Sequence, residues 1–178
     1  MTLVSSERVY SGKVINLDRD TVRFPNNSTG QLEMIRHPGA SAVVPFIDEP
    51  RAPDPRIYLI RQFRHAANGF IWEVPAGRLD PGETAATCAQ RELEEEIGMT
   101  ADVLARLTTI YTTPGFTDEK IHLFMAHELK KGTHRRESDE FMEVQTKRWS
   151  EAINMIRTSE IVDAKTVVAL MFIQAFRR

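Results

Sequence analysis

The segment Thr84 to Ile97 constrains this chain more than any other. It is rich in Ala, Glu, Leu, Gln and Arg, which are good helix formers. Gly98 stands where a helix C-terminal cap belongs. Within the predicted helix Glu92, Glu95 and Glu96 stand at i, i+3 and i+4, so they project from one face with neighbouring Cβ atoms roughly 5–6 Å apart. Like charges at that spacing oppose the helix, and at its C-terminal end the helix dipole disfavours anions as well. Two readings account for them: a solvated acidic face, or a site for hard divalent cations, whose preferred ligands are carboxylate and carbonyl oxygens.

The rest of the chain sets the frame. With 178 residues, 42% of them apolar and 27% charged, it is expected to fold as an ordinary globular protein with its own core. A single cysteine, Cys88, excludes an internal disulfide and a cysteine-based metal site. A net charge of −2 argues against a general nucleic-acid binder. The stretch MTLVSSERVYSGKV lacks the apolar run of a signal peptide, and no stretch of spanning length is free of charge. The expectation is a cytoplasmic protein with no membrane and no nucleic-acid partner.

Residues 8–36 read as extended chain, broken by the turn signal PNNSTG at 25–30. His37-Pro38-Gly39 marks a boundary. Residues 1–38 are therefore expected to form a small antiparallel β subdomain, and 39–178 the main domain. The small piece cannot hold a core alone, so it should pack on the main domain or on a second copy. Further strands are expected at 42–47, 57–62, 71–74, 104–112, 121–129 and 141–149. The loop 48–55, with Pro50, Pro53 and Pro55, cannot be regular. Ser150 is expected to cap a short helix toward Arg157, and Asp163 a last helix with an apolar face of Val167, Val168, Leu170, Met171 and Phe172. The mixture predicts an α/β (α+β) fold of layered sheet and helix.

Residues 77–99 read GRLDPGETAATCAQRELEEEIGM. They match the Nudix box, Gly-x5-Glu-x7-Arg-Glu-U-x-Glu-Glu-x-Gly-U, with U a bulky apolar residue. Gly77, Glu83, Arg91, Glu92, Glu95, Glu96 and Gly98 fill its named places, with Leu93 and Met99 at the apolar ones. Chance would supply such a match on the order of 10⁻⁶ times in a chain of this length. The chain thus resembles a Nudix hydrolase. Gly77 and Gly82 are expected to let a looped backbone lead into the helix. Arg91 lies eight residues after Glu83, so both can occupy one helical face and pair, and Leu93 should anchor the helix in the core. The resemblance implies an α/β/α sandwich with a mixed sheet. It also implies Mg²⁺, or Mn²⁺, held by Glu92, Glu95, Glu96 and the Ala76 carbonyl.

The flanking residues are similar to those of ADP-ribose pyrophosphatases and related nucleoside diphosphate sugar hydrolases. These are Met34 to Ala40, Arg61-Gln62-Phe63-Arg64, Ile71-Trp72-Glu73-Val74-Pro75-Ala76-Gly77, and Thr113 to Glu119. The resemblance implies hydrolysis of the diphosphate of ADP-ribose, GDP-mannose or UDP-glucose to a nucleoside monophosphate and a sugar phosphate. Arg36 and Arg64 would grip phosphates, as a guanidinium does through paired hydrogen bonds. Each could instead serve in a surface ion pair. Glu73 and Glu119 would face the substrate, Glu119 toward the terminal sugar. Phe24 would stack on the base from a partner's N-terminal subdomain, or else be core. The implied assembly is a homodimer with an exchanged N-terminal subdomain.

One departure from the family pattern stands in the loop 135–144, where the family supplies a further glutamate as base or metal ligand. Glu140 falls on a ligating position, while Ser138 occupies the place two residues earlier and is a poor base without a paired histidine. Glu140 is the favoured base, with Glu137 second; Glu95 and Glu96 complete the catalytic set. Two alternatives remain open: a nucleotide-sugar sensor that binds without cleaving, and a Nudix enzyme for oxidised nucleoside triphosphates. The five histidines lack ligand spacing, and Cys88 reads as packed.

Overall fold

A computed structural model describes residues 1–132 and 142–176. The chain opens with β1 (Thr2–Ser11), β2 (Asn16–Arg23) and β3 (Thr29–Arg36), an antiparallel sheet in that order. Extended chain starts earlier than the sequence suggests, because β1 is exposed along its whole length and shows no alternation of burial to betray it.

The remaining strands are β4 (Ala40–Pro45), β5 (Arg56–Arg64), β6 (Gly69–Glu73), β7 (Ala76–Arg78), β8 (Met99–Tyr111), β9 (Lys120–Lys131) and β10 (Met142–Arg148). Among the described residues three α-helices accompany them: α1 (Ala85–Ile97), α2 (Trp149–Arg157) and α3 (Ala164–Phe176). One sheet runs β7-β4-β9-β8, with β4 parallel to β9 and the other pairs antiparallel; a second runs β10-β5-β6, all antiparallel. This is the expected mixed α/β architecture.

The period-two alternation of strand side chains divides the core into two layers. Ala42, Val44, Leu59, Leu123 and Met125 pack with Trp149, Leu170 and Ile173 of α2 and α3. Their immediate neighbours Val43, Ile60, Phe124 and Ala126 pack with Ala89, Leu93 and Ile97 of α1. Helices therefore cover both faces. Leu93 is fully buried, as its place in the box suggested. Truncating such a leucine to alanine costs roughly 2–5 kcal/mol.

The helix ends are closed by different means. Thr84 caps α1 by accepting from the Thr87 N–H at 3.2 Å. Gly98 ends it in the left-handed region (φ 70°), its N–H reaching the Glu94 carbonyl at 3.0 Å. β8 begins at the next residue, five positions before the expected strand. Asp163 caps α3 as expected, accepting from the Thr166 N–H at 3.0 Å. Ser150 does not cap α2. The helix already opens at Trp149, so Ser150 lies inside it and donates its backbone N–H (2.8 Å) and hydroxyl (3.0 Å) to Asp54 of the proline-rich loop. A carboxylate distant in sequence thus does the work assigned to a local hydroxyl. Among the described residues no helix is long and apolar enough to cross a membrane.

Candidate active site

A cavity of about 1420 Å³ opens between the C-terminal half of α1, the β7 segment, the loop 79–83 and the first turn of α3. Its wall includes Ala76, Gly77, Glu83, Arg91, Glu92, Glu95 and Glu96 from the box region. Arg64, Glu119, His37, Asp163 and Lys165 come from elsewhere in the chain.

Arg91 organises the acidic face of α1. Its Nε donates to Glu83 at 3.0 Å, and its Nη1 donates to Glu92 at 2.6 Å and to Glu95 at 2.9 Å. Nη2 reaches the Arg78 carbonyl at 2.9 Å, which ties β7 to the helix. The hydrogen bond from Arg91, ahead of opposing burial, holds the Glu83 carboxyl below its ordinary range. The expected Glu83–Arg91 pair forms, but Glu83 precedes the helix cap and does not share the helix face. A turn closed by its own N–H on the Asp80 carbonyl (2.9 Å) brings it there.

Gly77 meets a demand different from the one expected. Its backbone is not left-handed; Gly82 is, at φ 80°. A Cβ on Gly77 would lie 1.8 Å from a Glu92 carboxylate oxygen. The missing side chain is therefore the cradle in which Glu92 rests. Glu92 and Glu96 are 8% and 3% exposed, and the Ala76 N–H donates to Glu96 at 3.1 Å.

This donor set suits a hard dication. Carboxylate oxygens of Glu92, Glu95 and Glu96 and the carbonyl of Ala76 are the ligand types that Mg²⁺ and Mn²⁺ prefer. Gly77 supplies the room that one of them needs. Among the described residues no three acidic, histidine or cysteine side chains are drawn together as a finished ligand shell. Arg91 occupies one oxygen each of Glu92 and Glu95. Glu137 and Glu140, the expected bases, lie outside the described residues.

Of the expected substrate contacts, Arg64 and Glu119 line the cavity. Glu119 accepts from the Thr112 hydroxyl at 2.9 Å and lies 3.4 Å from His37. Glu73 is 1% exposed and takes the Arg64 guanidinium on both oxygens, at 2.7 and 2.9 Å. Arg36 sits among acids: it donates to Asp18 (3.1 Å), Asp118 (3.4 Å) and Asp20. It ties β2 to the loop 113–119, whose Phe116 carbonyl also accepts from the Ile35 N–H at 2.8 Å. Phe24 lies at the β2–β3 turn with its ring against Gly30. The structure does not bring Arg36 or Phe24 to the cavity wall of this chain.

Cys88 is buried beneath the β7 segment. Burial, with Glu92 adding to it, pushes its thiol up to about 11. It is packed, as its sequence position suggested.

A helix carrying clustered carboxylates, a glycine hollowed out for one of them, and a glutamate–arginine clasp define a hydrolase of the Nudix type. The NUDIX domain family matches residues 36–168, and the chain belongs to it. It is 40% identical over 173 residues to an ADP-ribose pyrophosphatase of Bacillus subtilis (strain 168), covering 96% of this chain and 91% of that one. It is 37% identical, with the same coverage, to a methanol dehydrogenase activator of Bacillus methanolicus. A crystal structure of an ADP compounds hydrolase superposes with a TM-score of 0.80 at 22% identity, covering 98% of this chain and 92% of that one. That last likeness speaks for the fold.

Sequence reasoning passed over Asp163 and Lys165 as cavity residues. Asp163 was legible as a helix cap. The signal at Lys165 was a cation in the first turn of a helix, where the dipole opposes it.

Proposed function

We propose that this chain is a divalent-metal-dependent pyrophosphatase of ADP-ribose and related nucleoside diphosphate sugars. It would release a nucleoside monophosphate and a sugar phosphate. The carrying observation is the Glu92 carboxylate seated in the Gly77 hollow, in a cavity wall shared with Ala76, Glu95 and Glu96. The ADP-ribose pyrophosphatase that it resembles over nearly its whole length supports the substrate class.

Glu92, Glu95, Glu96, Glu140 and the Ala76 carbonyl would hold Mg²⁺, or Mn²⁺. A bound dication supplies charge neutralisation at the diphosphate and lowers the pKa of a coordinated water from about 15.7 toward neutrality. The chain's own groups do the rest. Arg64, oriented by Glu73, offers its remaining N–H groups to phosphate oxygens. Arg91 and Glu83 fix β7 against α1, so that Ala76 and Glu96 keep their places. Glu140, with Glu137 second, orients and deprotonates the attacking water. That water attacks one phosphorus, and the other phosphate leaves carrying its nucleoside or sugar. Glu119 faces the terminal sugar.

Arg36 and Phe24 act from a second copy in this reading. Residues 1–38 form an exchanged subdomain on the main domain 39–178, in a cytoplasmic homodimer. Exposed Leu3, Val4, Val9, Tyr10 and Ile15 on and after β1 support a covering partner. Light scattering on the purified chain tests this, and a monomer at micromolar concentration would refute it.

The decisive experiment is a panel of ADP-ribose, GDP-mannose and UDP-glucose with Mg²⁺, products resolved by chromatography. Monophosphate plus sugar phosphate, abolished by chelator, is the expected result. Pyrophosphate released from nucleoside triphosphates alone would overturn the substrate class.

A further inference from the structure

The first turn of α3 holds a cation that neither the box nor its flanking motifs pick out. Lys165 is the second residue of that helix, at the positive end of its dipole. Its side chain is 12% exposed, and its ammonium pairs with Asp163 at 3.0 Å and with Glu73. The turn itself is fixed: the Thr166 hydroxyl donates to Asp163 at 2.6 Å and accepts from the Val74 N–H at 2.9 Å. Lys165 is thereby fastened to the end of β6, next to Glu73.

Arg64 engages both oxygens of the buried Glu73, and Lys165 brings a second cation to the same carboxylate. Burial works to raise the Glu73 pKa, but Arg64 and Lys165 outweigh it and hold the carboxyl below the usual range. An ammonium has three donors. Among the described residues Lys165 spends one on Glu73 and one on Asp163, and a third remains. Among the described residues the Arg64 fork spends the Nε proton and one Nη2 proton on Glu73, which leaves Nη1 and the second Nη2 proton. Both cations line the same cavity as Glu92, Glu95 and Glu96, whereas Glu73 does not. One buried carboxylate thus presents two positive groups to the space where a substrate anion belongs.

We propose that Lys165 is a substrate-binding residue whose ammonium contacts diphosphate oxygens beside Arg64, with Glu73 positioning both cations. The proposal deepens the pyrophosphatase reading and rests on it for the substrate. Lysine serves here as a point charge and Arg64 as a directional fork, so the pair neutralises and orients together.

The test compares wild type with K165Q and K165R, measuring ADP-ribose kinetics in Mg²⁺, binding of inorganic pyrophosphate by calorimetry, and Tm. K165Q is expected to raise KM by about tenfold and to weaken pyrophosphate binding by a similar factor. kcat should fall less, and K165R should recover most of the loss. A purely structural tie predicts the opposite pattern: a lower Tm with KM and pyrophosphate affinity unchanged, and that result overturns the proposal. If wild type is inert toward all three nucleotide sugars, the substrate reading falls. The pyrophosphate comparison still decides whether Lys165 is an anion contact.

Discussion

The three helices treat their own dipoles differently. α2 follows the electrostatic rule at both ends, with Glu151 in its first turn and Arg157 in its last. α1 breaks it, closing on Glu94, Glu95 and Glu96 with no basic residue in the last turn. α3 breaks it at the other end with Lys165, although its cap Asp163 conforms. α2 contributes nothing to the cavity wall, whereas α1 turns Glu95 and Glu96 into it and α3 turns Lys165. Each misplaced charge costs roughly 0.3–1 kcal/mol when exposed. Such a cost persists where the charge has another task, so the dipole rule is most informative where it fails.

The largest expected effect sharpens this contrast. Glu96→Gln keeps the shape of the side chain and an oxygen to accept from the Ala76 N–H, and removes only the charge. ADP-ribose turnover should fall by about a hundredfold or more, the scale seen when a charge-stabilising group is removed. The melting temperature should stay within a few degrees. Near-normal turnover would remove α1 from the chemistry and leave its acidic end a solvated face. Next in size is a pair of glycine substitutions. Gly77→Ala puts a Cβ into the Glu92 carboxylate and should lower turnover by between about ten- and a hundredfold through displacement alone. Gly115→Ala meets nothing within 4 Å and should leave turnover as it was.

Much of α1 was legible because helix propensity, the Gly98 stop and the carboxylate spacing all agree within twenty residues. The Glu83–Arg91 pair was expected on a shared helical face; the pair forms, but a turn before the cap delivers Glu83, and that turn was not legible. What escaped reading depends on elements far apart in sequence. Asp54 caps α2 across 96 residues, so the sequence offered Ser150 in its place. Lys165 meets Glu73 across 92 residues, and no local pattern brings β6 to α3. Gly77 looked like a turn glycine because its contact, the Glu92 side chain, becomes visible only once β7 lies against α1. Residues 2–7 of β1 escaped because every residue of that strand is exposed.

The pH dependence of stability separates the two unusual helices from each other. Glu73 has a folded-state pKa below its ordinary value of 4.5. Its ionised form therefore stabilises the fold, fully above that value, and the contribution is lost as the pH falls through the lowered one. In Glu73→Gln that part of the acid sensitivity disappears. Between pH 6 and pH 3, about one unit either side of the carboxylate range, the Tm of the variant should fall less than that of wild type. Parallel curves would mean that the Arg64–Glu73–Lys165 cluster is neutral in energy, and the likeness drawn between α1 and α3 would then rest on position alone.

The smallest expected effect belongs to α2, and it is the control on which the comparison depends. Lys147, near the end of β10, reaches Glu151 in the first turn of α2 at 2.8 Å, and its ammonium also lies 5.1 Å from the Trp72 ring centroid. Glu151 is about half exposed, so solvent screens the pair. Glu151→Gln removes the ion pair and a favourable charge at the helix N-terminus, together worth about 0.5 kcal/mol. For a chain of this size that is a Tm drop of roughly 1–2 °C. Turnover should not change, because neither Lys147 nor Glu151 lines the cavity. A loss of activity from Glu151→Gln, at intact stability, would show that charge on α2 matters to the site as well. Conformity with the dipole would then no longer mark a helix as scaffold.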